Sequence, residues 1–323
     1  MPVTLLYNHS TMKNVELPAY FSTLNKGKVT LHIKKEYENR MSDQDIDGLF
    51  NLCKELSPVS NHADKNELNN SYQGRSTCKT ILMESLGDES YIVREYWHGG
   101  MVGKIFKDLF CDGMRPVREL SVCEAASKGG IKTTEIIAII KSKVFGPFYK
   151  FRLVTKEITE SIDLIELLLH SGESPRHLLS GEHRLLKQKR QIINKLAKAV
   201  NDMHDLGIYH ADLHLKNILV QSDEGGSVNV YIIDLDKSKQ YEKISFQRRM
   251  KNIMRLDRSV VKLRRKKRDV FGKKFPVSKT DRIRFLKKYI ELDSESVKPL
   301  RYYLQSYNNT HAFHRLWWRV GGG

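Results

Sequence analysis

The sequence predicts an α+β fold with two lobes, a small β-rich N-terminal lobe and a larger helical C-terminal lobe. Strand-like alternation dominates residues 78–155, whereas amphipathic helical patterns dominate from residue 162 onward. A short polar link, Lys156–Ile158, separates the two regions. At 323 residues the chain is long enough to bury a core in each lobe. We therefore expect an N-terminal extension at residues 1–60, the first lobe at 61–157 and the second at 158–323.

The N-terminal extension shows only weak patterns. Val29–Ile33 alternates as in a short hairpin, and Asp43–Leu56 has the apolar spacing of a helix that Asp43 can cap. Met1–Ser10 lacks the basic-then-apolar shape of a signal peptide, so we expect no export.

The first lobe opens with a polar loop followed by two predicted strands. Gly74 and Arg75 lie in the loop, and the strands Cys78–Met83 and Tyr91–Tyr96 follow, joined by a turn at Gly87–Ser90. An ATP-binding lobe covers the nucleotide phosphates with such a loop. A single glycine fits an ordinary surface turn as well, so both interpretations stay open.

A charged pair is predicted between the strand Tyr91–Tyr96 and the helix that follows it. Arg94 ends a strand, and Glu119 lies in the first turn of the predicted helix Val117–Lys128, which Gly129 and Gly130 end. A helix-borne glutamate that pairs with the arginine would hold its charge against phosphate groups. The alternatives are a solvated arginine and a glutamate that merely complements the helix dipole.

A link follows the strands predicted at Ile136–Ile140 and Phe148–Thr155. It comprises Lys156, Glu157 and Ile158, and a helix is predicted next at Ile162–His170. Adenine would hydrogen-bond backbone groups in such a link, which makes Glu157 a candidate nucleotide contact.

The most specific signal is a spacing of three oxygen-bearing side chains. A helix predicted at Glu182–Leu206 stops at Gly207, and a loop then carries Asp212 and Asn217, five residues apart. Two strand patterns follow, and the second ends in Asp234. Protein kinases carry out phosphoryl transfer on this order of helix, loop, strand, turn, strand and aspartate.

The chemistry needs these residue types. A hydroxyl is a poor nucleophile unless a carboxylate such as Asp212 accepts its proton, an effect of ~10²–10⁴ in rate. A triphosphate needs a divalent cation, and magnesium prefers oxygen ligands such as Asn217 Oδ1 and the Asp234 carboxylate. We therefore expect ATP and Mg²⁺.

The flanking polar residues are less specific. We interpret His210 as a buried residue that holds the loop, because Asp212 already supplies the base. His214 fits either a contact to the γ-phosphate or acceptor, or an ordinary surface position. Asp236 fits either a second metal ligand or a helix cap.

These residues together resemble the lipopolysaccharide kinases, a branch of the protein-kinase-like fold that includes 3-deoxy-D-manno-octulosonic acid (Kdo) kinase and the core heptose kinases. The resemblance spans about Tyr72–Lys239, and its pieces are Gly74-Arg75, Tyr91–Tyr96, Gly99–Lys104, Arg118–Leu120, His210–Leu219 and Ile233–Asp236. It implies that Asp212 is the catalytic base, that Asn217 and Asp234 are metal ligands, and that Arg94 and Glu119 are the N-lobe pair.

Two departures refine the resemblance. Arg94 stands where the heptose kinases keep a lysine, which favours the Kdo branch. Asp234-Leu235-Asp236 lacks the glycine of the DFG motif, which argues against an activation-loop switch.

The charge is concentrated near the C-terminus. The net charge of the chain is +17, and Arg248–Lys288 alone carries 18 Lys and Arg against three Asp, a net charge of +15. Amphipathic helices there, with Trp317 and Trp318 further on, suit an anionic membrane surface. A solvated helical face with packing tryptophans is the alternative. We expect no nucleic-acid partner, because no RNP, zinc or helix-turn-helix signature is found.

We therefore expect an ATP-dependent sugar kinase that phosphorylates a hydroxyl of Kdo on a lipid A precursor, bound peripherally at the cytoplasmic face of the inner membrane. One alternative is a kinase for another acceptor, such as core heptose, a small molecule or a protein. The other is an inactive kinase-like module that binds membranes.

Overall fold

The chain forms two compact units. The computed structural model describes residues 16–55, 78–98, 108–169, 182–222, 226–271, 275–293 and 299–306. The sheet unit comprises residues 14–124 and 134–158, and the helical unit comprises residues 1–13, 125–133 and 159–323. Gly74, Arg75, Gly99–Lys104, Trp317 and Trp318, which the sequence singled out, lie outside the described residues.

The sheet unit is built on one antiparallel sheet of six strands. Its order is β1-β2-β5-β6-β4-β3, so two hairpins from different parts of the chain flank the long central hairpin β5-β6. The strands are β1 (Phe21–Lys26), β2 (Val29–Lys34), β3 (Cys78–Leu82), β4 (Ser90–Glu95), β5 (Ile136–Phe145) and β6 (Phe148–Lys156). Every residue of β5 from Ile136 to Ile140 is buried, which places β5 at the centre of the core.

The described residues of this part of the chain form the helices α1 (Lys35–Glu38), α2 (Asp43–Glu55) and α3 (Arg115–Lys128), whose last residues count with the helical unit. Leu49, Phe50 and Leu52 of α2 join the core of the sheet. The residues assigned to an N-terminal extension thus contribute two strands and a core helix. Ser42, not Asp43, caps α2, because its Oγ accepts from the Asp45 N–H at 3.1 Å.

The helical unit contains small sheets and several helices. Strand β9 pairs with β10 and β7, and β8 pairs with β11. The strands are β7 (Ser161–Asp163), β8 (Ile208–Tyr209), β9 (Ile218–Ser222), β10 (Val228–Ile232) and β11 (Lys239–Gln240). The helices are α4 (Leu164–Leu169), α5 (Glu182–Asp205), α6 (Phe246–Lys266), α7 (Arg268–Phe271) and α8 (Lys279–Leu292), and residues 300–306 are also helical. The α+β prediction is confirmed.

One helix begins later than its pattern predicts. The first two residues of the predicted helix, Ile162 and Asp163, belong instead to β7, because β9 offers them an antiparallel partner. Asp163 then starts α4, since its Oδ1 accepts from the N–H groups of Ile165 at 2.8 Å and Glu166 at 2.9 Å. Short apolar runs do not distinguish a strand from a helix by periodicity alone.

No helix in the described ranges combines the length and the apolar content that crossing a bilayer requires. The basic helices α6 and α8 are amphipathic, as their sequence predicts, and each buries one face.

Gly207 joins α5 to the loop that carries the candidate residues. Its φ of +76° lies in the left-handed region. Its carbonyl accepts from the Tyr241 N–H at 2.9 Å, and a Cβ at this position would clash with the Tyr241 carbonyl oxygen. Only glycine therefore lets β11 approach the end of α5 this closely.

We predict that Gly207→Ala destabilises the protein by more than the left-handed backbone alone costs. Gly130→Ala is the matched control, because Gly130 has a φ of +80° and open space around its Cα. The control should lower the free energy of unfolding by about 1 kcal/mol, and Gly207→Ala by clearly more, as measured by urea denaturation. Equal losses would contradict the close approach of Tyr241.

Candidate active site

His210 holds together the two chain segments that carry the candidate residues. Its Nε2 donates to the carbonyl of Ile233 at 3.1 Å, and its Nδ1 accepts from the N–H of Asp212 at 3.1 Å. The ring is fully buried. One neutral imidazole thus fixes the loop at Asp212 and the chain just before Asp234, which confirms its interpretation as a loop-holding residue.

Asn217 and Asp234 are brought together by the end of the β9-β10 ladder. The Ile233 N–H donates to the Asn217 carbonyl at 3.0 Å, so Asp234 directly follows a residue hydrogen-bonded to Asn217. The Asn217 side chain is nearly buried, and its Nδ2 donates to the Asp212 carbonyl at 3.0 Å. Because the amide nitrogen is engaged within the loop, the amide oxygen is the atom that suits a cation.

Asp234 has a backbone conformation that is uncommon for its residue type. Its φ of +62° is in the left-handed region, which costs a non-glycine residue about 1–3 kcal/mol. Such conformations persist where the surroundings impose them, and they concentrate at functional sites. Here the preceding residue, Ile233, is held by its bonds to Asn217 and His210.

The Asp212 carboxylate is accessible. Its side chain is 60% exposed, and the His214 Nε2 lies 3.7 Å from Asp212 Oδ2. This distance is too long for a hydrogen bond. A proton acceptor must reach its substrate, so the exposure of Asp212 suits that role better than burial would.

Asn252 is a positioning residue that the sequence did not reveal. It lies in α6 and is fully buried. Its Oδ1 accepts from the His210 N–H at 3.1 Å, and its Nδ2 donates to the His210 carbonyl at 2.6 Å. The side chain therefore engages both backbone groups of the residue that fixes the loop. Its only signal in the sequence was an amide among the apolar positions of a basic helix.

Three further contacts extend this support. His204 in α5 donates from Nε2 to Asn252 Oδ1 at 3.1 Å and accepts at Nδ1 from the Tyr289 hydroxyl at 2.7 Å. Ser259 Oγ in α6 accepts from the Leu215 N–H at 3.2 Å. The loop is thus held from α5, α6 and α8 through a buried polar network.

Both buried histidines are kept neutral. Desolvation lowers the pKa of His210 to about 4 and that of His204 to about 3. A neutral His210 is required by its contacts, because Nδ1 must accept the Asp212 N–H while Nε2 donates.

The predicted pair in the sheet unit forms. Arg94 Nη2 lies 2.5 Å from Glu119 Oε1, and the Tyr96 hydroxyl donates to Glu119 Oε2 at 2.5 Å. Glu119 is buried, and the Arg94 guanidinium lies 5.1 Å from the centre of the Tyr96 ring. The glutamate therefore does more than complement a helix dipole, because it fixes the direction of the arginine.

The link residue Glu157 has local partners. Its N–H donates to the Ser90 carbonyl at 2.9 Å, and its carboxylate accepts from the Ser90 hydroxyl. This N–H is not available to an adenine, so a nucleotide contact through Glu157 would have to use its carbonyl.

The structure says less about three other candidates, Gly74, Arg75 and Asp236. Gly74 and Arg75 lie outside the described residues, so their contact with phosphates stays a prediction. No helix begins directly after Asp236 in the described chain, since β11 follows at Lys239 and α6 starts at Phe246. The helix-cap interpretation of Asp236 is therefore wrong.

The described residues contain no group of three or more His, Cys, Asp or Glu arranged to hold a metal ion. The candidate ligands are instead one amide and one carboxylate. Both supply the hard oxygen donors that magnesium prefers, and phosphate oxygens and water would complete such a shell.

The sheet unit carries an arginine that pairs with a glutamate of α3, and the helical unit carries the loop with Asp212 and Asn217. These features define a phosphotransferase of the protein-kinase-like class. A family model described as "Lipopolysaccharide kinase (Kdo/WaaP) family" matches residues 59–289. The chain belongs to this family.

Comparison with individual proteins agrees with this assignment. The chain is 29% identical over 196 residues to a 3-deoxy-D-manno-octulosonic acid kinase of Photobacterium profundum, covering 59% of this chain and 72% of the relative. It is 28% identical over 214 residues to the enzyme of that name from Mannheimia succiniciproducens, covering 65% of this chain and 82% of the relative.

A solved structure supports the fold. The structure titled "WaaP in complex with acyl carrier protein" matches with a TM-score of 0.50 and 18% identity, over 75% of this chain and 84% of that one.

We predict that the protein loses stability as the pH falls from about 6.5 toward 4. In this window the unfolded chain protonates His204 and His210, whereas the folded chain keeps both neutral because their pKa values are lowered to about 3 and about 4. Each histidine can lower the free energy of unfolding by up to about 1.4 kcal/mol per pH unit. Urea denaturation at pH 7 and pH 5 measures the loss.

His204→Gln is the control, because it removes one of the two protons taken up on unfolding. Its stability should change less steeply between pH 7 and pH 5. A pH dependence as steep as that of the unchanged protein would show that other groups govern the acid response.

We predict that Asn252→Ala lowers both stability and catalysis. It leaves the His210 N–H and carbonyl buried without their partner, at a cost of about 1–3 kcal/mol per group. Asn201→Ala is the matched control, because Asn201 is also buried and bonded, to Asp205 and the Leu292 carbonyl, but does not touch the loop. Both variants should be less stable, and only Asn252→Ala should have a lower kcat where both remain folded.

Proposed function

We propose that the protein transfers the γ-phosphate of ATP to a hydroxyl of Kdo on a lipid A precursor. The observation that carries this proposal is the bridge through His210, which joins the Asp212 loop to the chain before Asp234 while Ile233 bonds to Asn217. Membership of the lipopolysaccharide kinase family and the names of its relatives support the acceptor.

Asp212 is the proton acceptor in this proposal. The acceptor oxygen forms a bond to the γ-phosphorus, and the bond from that phosphorus to the bridging oxygen of ATP breaks, with its electron pair leaving on ADP. The proton of the hydroxyl passes to the Asp212 carboxylate. The exposed side chain of Asp212 on a loop fixed by buried contacts fits this step.

Asn217 and Asp234 would hold Mg²⁺, which when bound offsets the negative charge of the phosphates. Their fit rests on the donor set, an amide oxygen and a carboxylate, and on the Ile233–Asn217 hydrogen bond that makes them neighbours. The rigid loop lets these groups take their positions without reordering when the nucleotide binds.

Two further side chains complete the proposal. Arg94, whose direction Glu119 and Tyr96 set, would contact nucleotide phosphates. The planar guanidinium of an arginine can bind two phosphate oxygens in a fixed fork geometry, whereas a lysine presents a compact point charge. His214, 3.7 Å from Asp212, would contact the γ-phosphate or the acceptor.

We propose that an apolar cavity in the helical unit holds part of an acyl chain of the acceptor. It has a volume of about 720 Å³, and aliphatic side chains of α4, α5, α6 and α8 form most of its wall, among them Leu167, Ile193, Ile253 and Leu286. Sites for small molecules have this size. An acyl chain would gain about 0.8 kcal/mol for each methylene buried in it.

The location that fits this substrate is the cytoplasmic face of the inner membrane, with the protein bound peripherally. Exposed cations near the end of α6 support attraction to anionic lipid. A kinase that acts on core heptose is the second candidate, and the arginine at position 94 argues against it.

The decisive experiment measures transfer of label from γ-labelled ATP to a Kdo-bearing lipid A precursor. Heptose-bearing core and a deacylated Kdo sugar serve as alternative acceptors. We expect transfer to the Kdo lipid, slower transfer to the deacylated sugar, and little to heptose. Asp212→Asn should lower the rate by ~10²–10⁴ because the proton acceptor is lost.

Asp202→Asn is the control variant, because Asp202 lies on α5 and pairs with Lys198 away from the loop. It should leave transfer unchanged. ATP binding by Asp212→Asn should be retained. Transfer at the normal rate by Asp212→Asn would exclude catalysis by this loop, whereas transfer to heptose alone would replace the acceptor.

A further inference from the structure

The cations of the basic segment fall into two structurally different groups. The first group is internal. Arg249 is buried, with Nη1 2.8 Å from Asp205 Oδ1 and 3.8 Å from Asp293 Oδ1. Arg282 forms two bonds to Asp257, at 2.5 Å and 2.7 Å. These residues join α5, α6 and α8, and their charges are compensated by the carboxylates that they contact.

The second group lies at the C-terminal end of α6 and in α7. Five of its cations are exposed, and none of them has a carboxylate of the described residues within ion-pair distance; they are Lys262, Arg264, Arg265, Lys266 and Arg268. Between them Leu263 is buried and attaches this end of the helix to the core. We call the five cations together with Val270 the basic end.

The charge of the basic end is nearly uncompensated. Residues 262–270 contain six cations and one carboxylate, Asp269, so this short stretch carries a net charge of +5. A cation in the last turn of a helix complements the helix dipole, but that effect is confined to the last turn. It accounts neither for Lys262 nor for Arg268, which lies beyond the end of α6. The cluster therefore suits an external anionic surface.

Apolar side chains accompany these cations. Val270 is 65% exposed in α7, and Phe271 packs edge-on against Phe275 with ring centres 5.3 Å apart. The Arg264 guanidinium lies 5.9 Å from the centre of the Phe275 ring. An aliphatic side chain beside cations suits the boundary between headgroups and acyl chains. A nucleic-acid backbone would gain little from it.

We propose that the basic end is the surface by which this protein docks on an anionic lipid bilayer. The choice of a bilayer rests on the proposed function, in which the acceptor is borne by a lipid. The internal cations of the basic segment do not take part. This docking is electrostatic and therefore weakens as salt screens the charges.

The test compares two sets of four substitutions that remove equal charge. The first set is Lys262→Gln, Arg265→Gln, Lys266→Gln and Arg268→Gln. The control set is Lys28→Gln, Lys35→Gln, Arg40→Gln and Lys143→Gln, all exposed cations of the sheet unit. Sedimentation with vesicles of phosphatidylcholine containing phosphatidylglycerol at about a third of the lipid, and with phosphatidylcholine alone, measures binding, and circular dichroism checks folding.

We expect the unchanged protein to bind the anionic vesicles and to release them as salt rises. The basic-end variant should bind about a thousandfold more weakly, since each of the four cations contributes about 1 kcal/mol near the lipid, and the control set within about threefold of the unchanged protein. Equal losses in the two sets, or binding that ignores salt and lipid charge, would overturn the proposal. So would tighter binding of a short RNA duplex than of the vesicles at the same salt concentration.

A parallel activity assay separates this proposal from the proposed function. Transfer is measured with the Kdo lipid in detergent micelles, where docking is not needed, and in anionic vesicles. If both proposals hold, the basic-end variant keeps its activity in micelles and loses most of it in vesicles. An absence of transfer by the unchanged protein in both formats would refute the proposed function while leaving the vesicle-binding result valid. Equal activity in vesicles for the two variant sets would refute the docking surface.

Discussion

The helical unit depends on one neutral imidazole. His210 receives the N–H of Asp212 on one side and donates to Ile233 on the other, so it ties a loop to the end of a strand with two hydrogen bonds. Protonation would turn Nδ1 into a second donor facing the Asp212 N–H, and the two would then repel. Burial keeps the ring neutral, because the lowered pKa reflects the cost of placing a charge in the interior. Desolvation of the ring therefore preserves the two hydrogen bonds that hold the candidate residues in place.

The buried network around this imidazole costs hydration free energy to form, and it fixes the position of the loop. Asn252, His204 and Tyr289 are each buried, and each has its polar atoms engaged by a neighbour. A network of this kind adds rigidity only when its members are satisfied, because any unpaired group loses its hydration without compensation. It links three helices to a loop that has little regular structure of its own. Precise placement of Asp212 therefore comes from residues distant in sequence.

The sequence predicted the elements and residues whose signals are local. The spacing of Asp212, Asn217 and Asp234, and the glycine that ends α5, are patterns within a short stretch of chain, and they identified the loop. The Arg94–Glu119 pair joins residues 25 apart, and the resemblance to a family pointed to it. Asn252 could not be predicted, because its role depends on a hydrogen-bonding partner 42 residues away. Strand β7 was missed for the same reason, since only its pairing with β9 favours an extended backbone there.

The composition of the basic segment does not distinguish the cations that form internal ion pairs from those that are exposed. One run of cations in the sequence contains arginines that form ion pairs within the folded unit and other arginines and lysines that are exposed. The difference lies in the partners: Asp205, Asp257 and Asp293 come from other elements or other turns, and no count of charges along the chain identifies them. The net charge that this segment presents to an external partner is therefore obtained only after its internal ion pairs have been excluded.

Helix α6 carries both the support for the loop and the exposed cations, ten residues apart. At a rise of about 1.5 Å per residue, Asn252 and Lys262 are separated by about 15 Å along a single stiff rod. The helix therefore keeps the distance between these two residues constant. With the basic end bound to lipid, the carboxylate of Asp212 would lie at a fixed height above the bilayer. This height would select acceptors by the length of sugar between the reacting hydroxyl and the acyl chains.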